Sequence, residues 1–287
     1  MTVSVLVPAS LTREAEDKRE ATRKLGTVAR AATIFRVDRV TVFPDPAGEG
    51  KRGSGFVETV LRYAATPPYL RKEVWGKRDE LEYAGVLPPL RVRSQTGSGS
   101  EGSGSLRQGI VTEVGADGRV RVNCGLQHPI SLPVPDGLDV GEGERVTVRI
   151  SSRRPVRAKL DGGPPPGFAV DAADLDTALS RDDSGLAIAA SRHGDVLGVD
   201  RLGQLAERLR SQSGESSTDD PAFTVAFGAP ERGLPEILGI DPDAVREGQS
   251  ETGRFDLWLN TVPNQGSEVV RTEEAVLATL ACLNLSE

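Results

Sequence analysis

Between Ser94 and Ser105 the chain reads Ser-Gln-Thr-Gly-Ser-Gly-Ser-Glu-Gly-Ser-Gly-Ser, twelve residues without one apolar side chain. Such a stretch cannot bury enough apolar surface to hold a place in a core, so it reads as a flexible linker over 94–105. It also separates two kinds of pattern. Before it, Thr2–Val7 is a short apolar strand, Thr12–Phe35 a long helical pattern with Leu25, Val28, Ala29, Ala32 and Phe35 on one face, Val37–Phe43 a second strand ended by Pro44-Asp45-Pro46, and Gly53–Ala65 a second helix. After it come short strands at Gly109–Val111, Gly118–Val122, Ile130–Val134 and Arg145–Ile150, separated by Gly, Asp and Pro turns, which predicts a small β-barrel of OB-like type.

Beyond Pro164-Pro165-Pro166-Gly167 the alternation of strand and helix resumes: helix Asp174–Arg181, strand Gly185–Ala190, helix Leu202–Arg210, strand Ala222–Phe227, then a last strand from Phe255 and a last helix. Alternation of this kind favours a parallel α/β sheet. The architecture implied is one discontinuous α/β domain, residues 1–93 and 164–287, split by a barrel over 106–163.

The 287 residues carry a net charge of −7, yet only six lysines accompany their many arginines: Lys18, Lys24, Lys51, Lys72, Lys77 and Lys159. An acidic, Arg-biased chain suits a halophilic source, and in concentrated salt the screening length falls to about 3 Å, so acidity does not exclude an RNA substrate. Arg107, Arg119, Arg121, Arg149, Arg153, Arg154 and Arg157 concentrate in the barrel segment. A solvated face and an RNA surface explain them equally well. Cys124 and Cys282 stand far apart without CxxC companions, which supports neither a disulfide framework nor a metal site. No apolar run has membrane-spanning length and no charged leader precedes a hydrophobic segment, so a soluble, cytoplasmic protein without membrane association is expected.

Three strand ends in the second half empty into polar, Gly-containing loops: Ser191–Asp195, Gly228–Leu234 and Asn260–Ser267. Ligands of open α/β sheets sit at the carboxyl ends of strands, so three such loops converging there would build one pocket. The third also has a plainer reading, as a strand-to-helix turn in which Ser267 or Thr272 caps the last helix and Glu273 and Glu274 favour its first turn. Gly48–Gly55 is Gly-rich and basic but departs from the GxxxxGK[ST] spacing, and reads as a flexible basic loop. No GxGxxG follows a strand.

Five stretches in order, Ala31-Ala32-Thr33-Ile34-Phe35-Arg36-Val37-Asp38, Thr66-Pro67-Pro68-Tyr69-Leu70-Arg71-Lys72, Tyr83–Leu90, Phe227-Gly228, and Leu259–Ser267 with Arg271–Ala275, resemble the SPOUT methyltransferases. Within that superfamily the chain is similar to the archaeal and eukaryotic RNA methyltransferases that carry an inserted OB-like barrel. The resemblance implies a C-terminal trefoil knot, a homodimer, and S-adenosyl-L-methionine bound in the knot. Carried over by position, the cofactor would be held by Gly228, Gly233, Asn260, Thr261, Val262, Gln265, Gly266 and Ser267. The substrate implied is structured RNA, ribosomal RNA first, methylated on a base nitrogen or a ribose oxygen.

Gly26–Asp38 is also similar to the first motif of the ribose-methylating branch, in which an Arg on this helix serves the reaction; Arg30 holds that place, and Arg271 is a second candidate. A guanidinium can steer a phosphate or stabilise an oxyanion, although an Arg packing its stem on a neighbour would look the same in sequence. His193 is a possible general base or only polar lining, and Glu274 a base or a capping carboxylate. Where relatives place a basic residue after Gln265-Gly266-Ser267, this chain has Glu268. A non-catalytic RNA-binding or ribosome-assembly protein that keeps the fold stays open as an alternative.

Overall fold

The computed structural model describes residues 2–48, 50, 52–92, 105–212, 222–246 and 254–284. The expected linker, up to Gly104, therefore lies outside the described residues, as do two positions of the basic Gly-rich loop. The chain divides into two compact units: Met1–Arg62, Glu80–Pro88 and Phe168–Glu287 form the first, Tyr63–Asp79 and Pro89–Gly167 the second.

The first unit contains β1 (Thr2–Pro8), α1 (Lys18–Ile34), β2 (Arg39–Phe43) and most of α2 (Ser54–Ala65). The second holds α3 (Arg71–Trp75), β3 (Ser105–Val114), β4 (Arg119–Asn123), β5 (Ile130–Pro133), β6 (Arg145–Arg153) and β7 (Val156–Asp161). The chain then completes the first unit with β8 (Ala169–Ala172), α4 (Leu175–Leu179), β9 (Leu186–Val196), α5 (Val199–Gln212), β10 (Ala222–Ala226), α6 (Leu234–Leu238), α7 (Pro242–Arg246), β11 (Leu257–Asn260) and α8 (Thr272–Leu283).

The sheet of the first unit has six strands in the order β11-β9-β10-β1-β2-β8, every neighbouring pair parallel. Strand β1 is buried from Val3 to Pro8, without an exposed face. That is why its sequence reads as an apolar run rather than an alternation, as expected for a parallel strand covered on both sides. Helix α1 begins at Asp17, whose side chain accepts from the Glu20 N–H at 2.7 Å, so the residues from Thr12 that carried a helical pattern instead form a 3-10 turn over Ala9–Thr12 and a bend. Its buried face includes Ala21, Leu25, Val28, Ala29 and Ala32. A side chain on Gly26 would sit 2.6 Å from Pro88 Cδ, so this glycine admits the Leu87-Pro88 segment against the helix.

The second unit is an antiparallel sheet in the order β5-β4-β3-β6-β7, with β5 returning beside β7 so that the sheet is nearly closed and barrel-like. Its core is Val111, Val120, Val122, Cys124, Leu132, Val140, Val146, Val148, Ile150 and Leu160. Strands β7 and β8 escaped the sequence reading for a physical reason: in β7 only Leu160 is buried, and β8 is four residues long with no buried position. Several of the barrel's arginines are engaged within it. Arg107 is 9% exposed and donates to the carbonyls of Cys124 and Gly125. Arg119 bonds Ser131, Arg121 pairs with Glu113 and Arg149 with Asp161.

Candidate functional site

The carboxyl ends of β9, β10 and β11 surround one cavity of about 230 Å³. Its first wall arises from a break in strand pairing. Trp258 of β11 pairs with Ala189 of β9, but the next residue, Leu259, pairs with Asp195. The intervening residues of β9 therefore arch away from β11, and Ala190, Ser191, Arg192 and His193 line the cavity. Gly194 closes the arch, where an added Cβ would lie 2.6 Å from the Trp258 carbonyl carbon and 2.7 Å from Leu259 N. Asn260 locks the arch from the other side, its Nδ2 donating to Arg192 O at 3.2 Å and its Oδ1 accepting from Val262 N at 3.1 Å.

The second wall is the loop after β10. Ala229 and Arg232 exchange backbone hydrogen bonds of 2.9 and 3.1 Å, forming a tight reversal through Pro230 and Glu231, and Glu231 takes φ +57°. That left-handed conformation is uncommon outside glycine and costs local strain. A Cβ on Gly228 would lie 2.7 Å from Leu234 N, so the loop closes on itself only because this position is glycine. Arg232 Nε donates to both carboxylate oxygens of Asp45, at 3.1 and 3.0 Å, and Nη1 reaches Glu236 at 2.8 Å. Asp45 is 2% exposed and also accepts from Ser10 Oγ at 2.6 Å. Residues following β1, β2 and β10 are thus tied together at the same edge of the sheet, and the Asp45 carboxylate raises the affinity of the Arg232 guanidinium for its proton.

The third wall is the segment from Asn260 to Val270 and the start of α8. Thr261 and Thr279 share a hydroxyl hydrogen bond of 2.8 Å, Gln265 Nε2 donates to the carbonyls of Ser267 and Glu268, and Ser267 Oγ donates to Val269 O. Neither Ser267 nor Thr272 caps α8. Arg271 occupies the N-cap, and Glu274 accepts from its backbone N–H at 2.9 Å, so this carboxylate is committed to the helix end. Thr272 Oγ1 instead donates to Gly228 O at 2.8 Å, joining the second and third walls.

Of the residues singled out in the sequence, Gly228, Gly233, Asn260, Thr261, Val262 and Gln265 line the cavity, with His193 and Glu268. Gly266 and Ser267 belong to the same loop outside the lining. Arg271 is half-exposed, with Nε 3.4 Å from Glu14, and Arg30 lies on α1; neither lines the cavity. Sequence reasoning missed the Ser10–Asp45–Arg232 network, because Pro44-Asp45-Pro46 read only as a strand terminator. It also missed Glu231, whose one signal is an acidic residue between Pro and Arg-Gly in a pocket loop.

Beside the third wall, Lys24 is 3% exposed and faces Glu14 in an ion pair, with Glu20 and Glu273 each at 3.8 Å. Glu273 is 6% exposed, one of its carboxylate oxygens has no hydrogen-bond partner among the described residues, and burial pushes its pKa up.

Residues 2–283 match the model of a protein family described as "Putative RNA methyltransferase". The chain belongs to this family. It is 74% identical over 289 aligned positions to an uncharacterized protein of Haloarcula marismortui and 66% identical over 292 to one of Halobacterium salinarum, with each pair covered in full. It is also 29% identical over 320 positions to the human 28S rRNA (uridine-N(3))-methyltransferase, which covers 98% of this chain and 77% of the human one. As a member of an RNA methyltransferase family the chain is a transferase that uses a methyl donor. No helix among the described residues is long and apolar enough to cross a membrane.

Proposed function

We propose that this protein methylates ribosomal RNA, using S-adenosyl-L-methionine bound in the cavity at the carboxyl ends of β9, β10 and β11, and that the target is N3 of a uridine. The observation that carries the reading is the convergence of three polar loops on that one cavity, in a chain whose family and human relative are RNA-modifying. The residues present fit the donor. Phe227, Leu259, Val262 and Ala275 would supply an apolar surface for a purine ring, while the loop closed at Gly228 and the non-helical segment 260–270 would supply backbone groups for adenine and ribose. Gly233, Asn260, Thr261 and Gln265 line this surface, and Gly266 and Ser267 complete the loop. On this reading the parallel α/β sheet is a SPOUT domain with a C-terminal knot, and the barrel-like sheet is its OB-like insert; both are supported by the sheet topology.

The bound donor supplies an electrophilic methyl carbon on a sulfonium. Methyl transfer to N3 would form the N3–carbon bond as the carbon–sulfur bond broke, and would require a protein group to take up the N3 proton. His193, Glu231, Glu236 and Glu268 line the cavity and carry groups able to receive that proton or hold the imide edge, with Glu236 already bonded to Arg232. Arg30 and Arg271, outside the lining of their own chain's cavity, are assigned to RNA phosphate contact, Arg30 at the site of a second copy in a homodimer. Orientation of this kind can contribute about 7–11 kcal/mol to lowering a barrier.

Calorimetry with S-adenosyl-L-methionine and S-adenosylhomocysteine in high salt, followed by methyl incorporation into rRNA from a strain lacking the gene, tests the reading. Binding of both ligands and a new N3-methyluridine are expected. No binding of either ligand sinks it, and RNA binding without methyl transfer would establish a non-catalytic role instead. Sedimentation at working concentration should give twice the 30.5 kDa chain mass.

A further inference from the structure

The second unit carries a cation–aromatic cluster that is separate from the barrel's paired arginines. Arg71-Lys72-Glu73-Val74-Trp75-Gly76-Lys77-Arg78 sets four basic residues against one acidic residue, in a chain whose net charge is −7, and holds two of its six lysines. One side of this segment is pinned. Tyr69 Oη donates to Gln108 O at 2.7 Å, Asn123 Nδ2 to Glu73 at 2.7 Å, and Trp75 Nε1 to Thr66 Oγ1 at 2.9 Å, a hydroxyl that Arg145 also reaches at 3.1 Å.

The other side is open. Trp75 and Tyr63 are only partly buried and meet edge to face with centroids 6.0 Å apart. Arg71 lies 4.5 Å over the Tyr63 ring and Arg78 5.4 Å over Trp75. Gly76, at φ +56°, reverses the chain after α3 so that Arg78 returns over the indole. Lys72, Lys77 and Arg78 are exposed.

We propose that this cluster is a second RNA contact, a stacking site for an unpaired base of single-stranded RNA. The inference rests on RNA being the substrate. The base takes the place over the Trp75 indole now covered by Arg78, because base–aromatic stacking exceeds an exposed cation–π contact. The displaced guanidinium, with Lys72 and Lys77, pairs with flanking phosphates. The indole is already oriented by its bond to Thr66, so little freedom is lost on binding. Single strands are favoured over duplex because only an unpaired base offers an open face. In strong salt, where long-range attraction is screened, stacking keeps the contact specific.

The test uses the full chain and a fluorescein-labelled oligouridine of about twelve nucleotides, free or annealed to its complement. Binding of the single strand is expected to exceed that of the duplex. Trp75→Ala should weaken single-strand binding by about 5- to 150-fold, while Trp75→Phe keeps most of the affinity. The combined Lys72→Gln, Lys77→Gln, Arg78→Gln variant should lower the slope of log affinity against log salt by about 2. In a Trp258→Phe background, oligonucleotide should quench the Trp75 emission. Unchanged affinity in Trp75→Ala with unchanged thermal stability, equal binding of duplex, or absence of quenching would overturn the proposal. If Trp75→Ala unfolds, quenching and the salt slope decide. Donor binding by wild-type protein is measured alongside: its loss with oligonucleotide binding intact condemns the functional reading and not this site.

Discussion

Asp45 shows how one side chain governs a binding surface it does not line. It holds Arg232 in two hydrogen bonds and Ser10 in a third, and its near-complete burial makes the charge expensive unless paired. Asp45→Asn keeps the shape but removes the charge opposite Arg232. The expected cost is about 1–2 kcal/mol in denaturant unfolding, because Arg232 keeps Glu236, with weaker binding of S-adenosylhomocysteine by calorimetry because the Gly228–Gly233 loop is less firmly tethered. Glu273 behaves in the opposite sense. Its folded pKa lies above the unfolded one through burial, so the folded state binds more protons and stability falls as pH rises through the raised folded pKa. Glu273→Gln is therefore expected to raise the melting temperature at neutral pH, and the gain should vanish in acid below the ordinary carboxylate range, where both forms are neutral. Lys24 retains Glu14 and Glu20 in that variant. Neither residue was legible beforehand. Asp45 looked like a turn residue and Glu273 like a helix-start carboxylate, since burial across elements leaves no local signature.

At the scale of elements, the sequence was clearest where periodicity is strong. The helices α1 and α2 are readable because apolar residues recur with the helical period, and the strands β1, β2 and β10 as short, largely apolar runs of the kind that buried parallel strands require. The three pocket loops were readable because their polar composition follows an apolar strand. What could not be read was the jump in register between β9 and β11, which turns a strand end into a cavity wall. Gly194 is the residue that permits it. Gly194→Ala would place a methyl group against the Trp258–Leu259 backbone and is expected to cost about 1–3 kcal/mol, with loss of cofactor binding. Gly203→Ala on α5, where a Cβ meets nothing within 4 Å, is the control and should gain about 1 kcal/mol from helix propensity. Thermal unfolding and calorimetry on the two variants separate a local wall effect from general damage.

At the scale of the molecule, the first unit is assembled from three stretches of chain, and its sheet order β11-β9-β10-β1-β2-β8 is not the order of synthesis. Composition showed that the pattern is interrupted but not where each strand inserts, because the order of parallel strands is set by long-range packing and not by local pattern. Strand β11 is the sheet's terminal neighbour, four residues long, held by β9 through a broken register on one side of the cavity. A ligand in that cavity would touch both sides of the break. Its binding free energy and the opening of β11 then become a single linked equilibrium: whatever fills the cavity slows amide hydrogen exchange along this edge by the factor 1 + [L]/Kd.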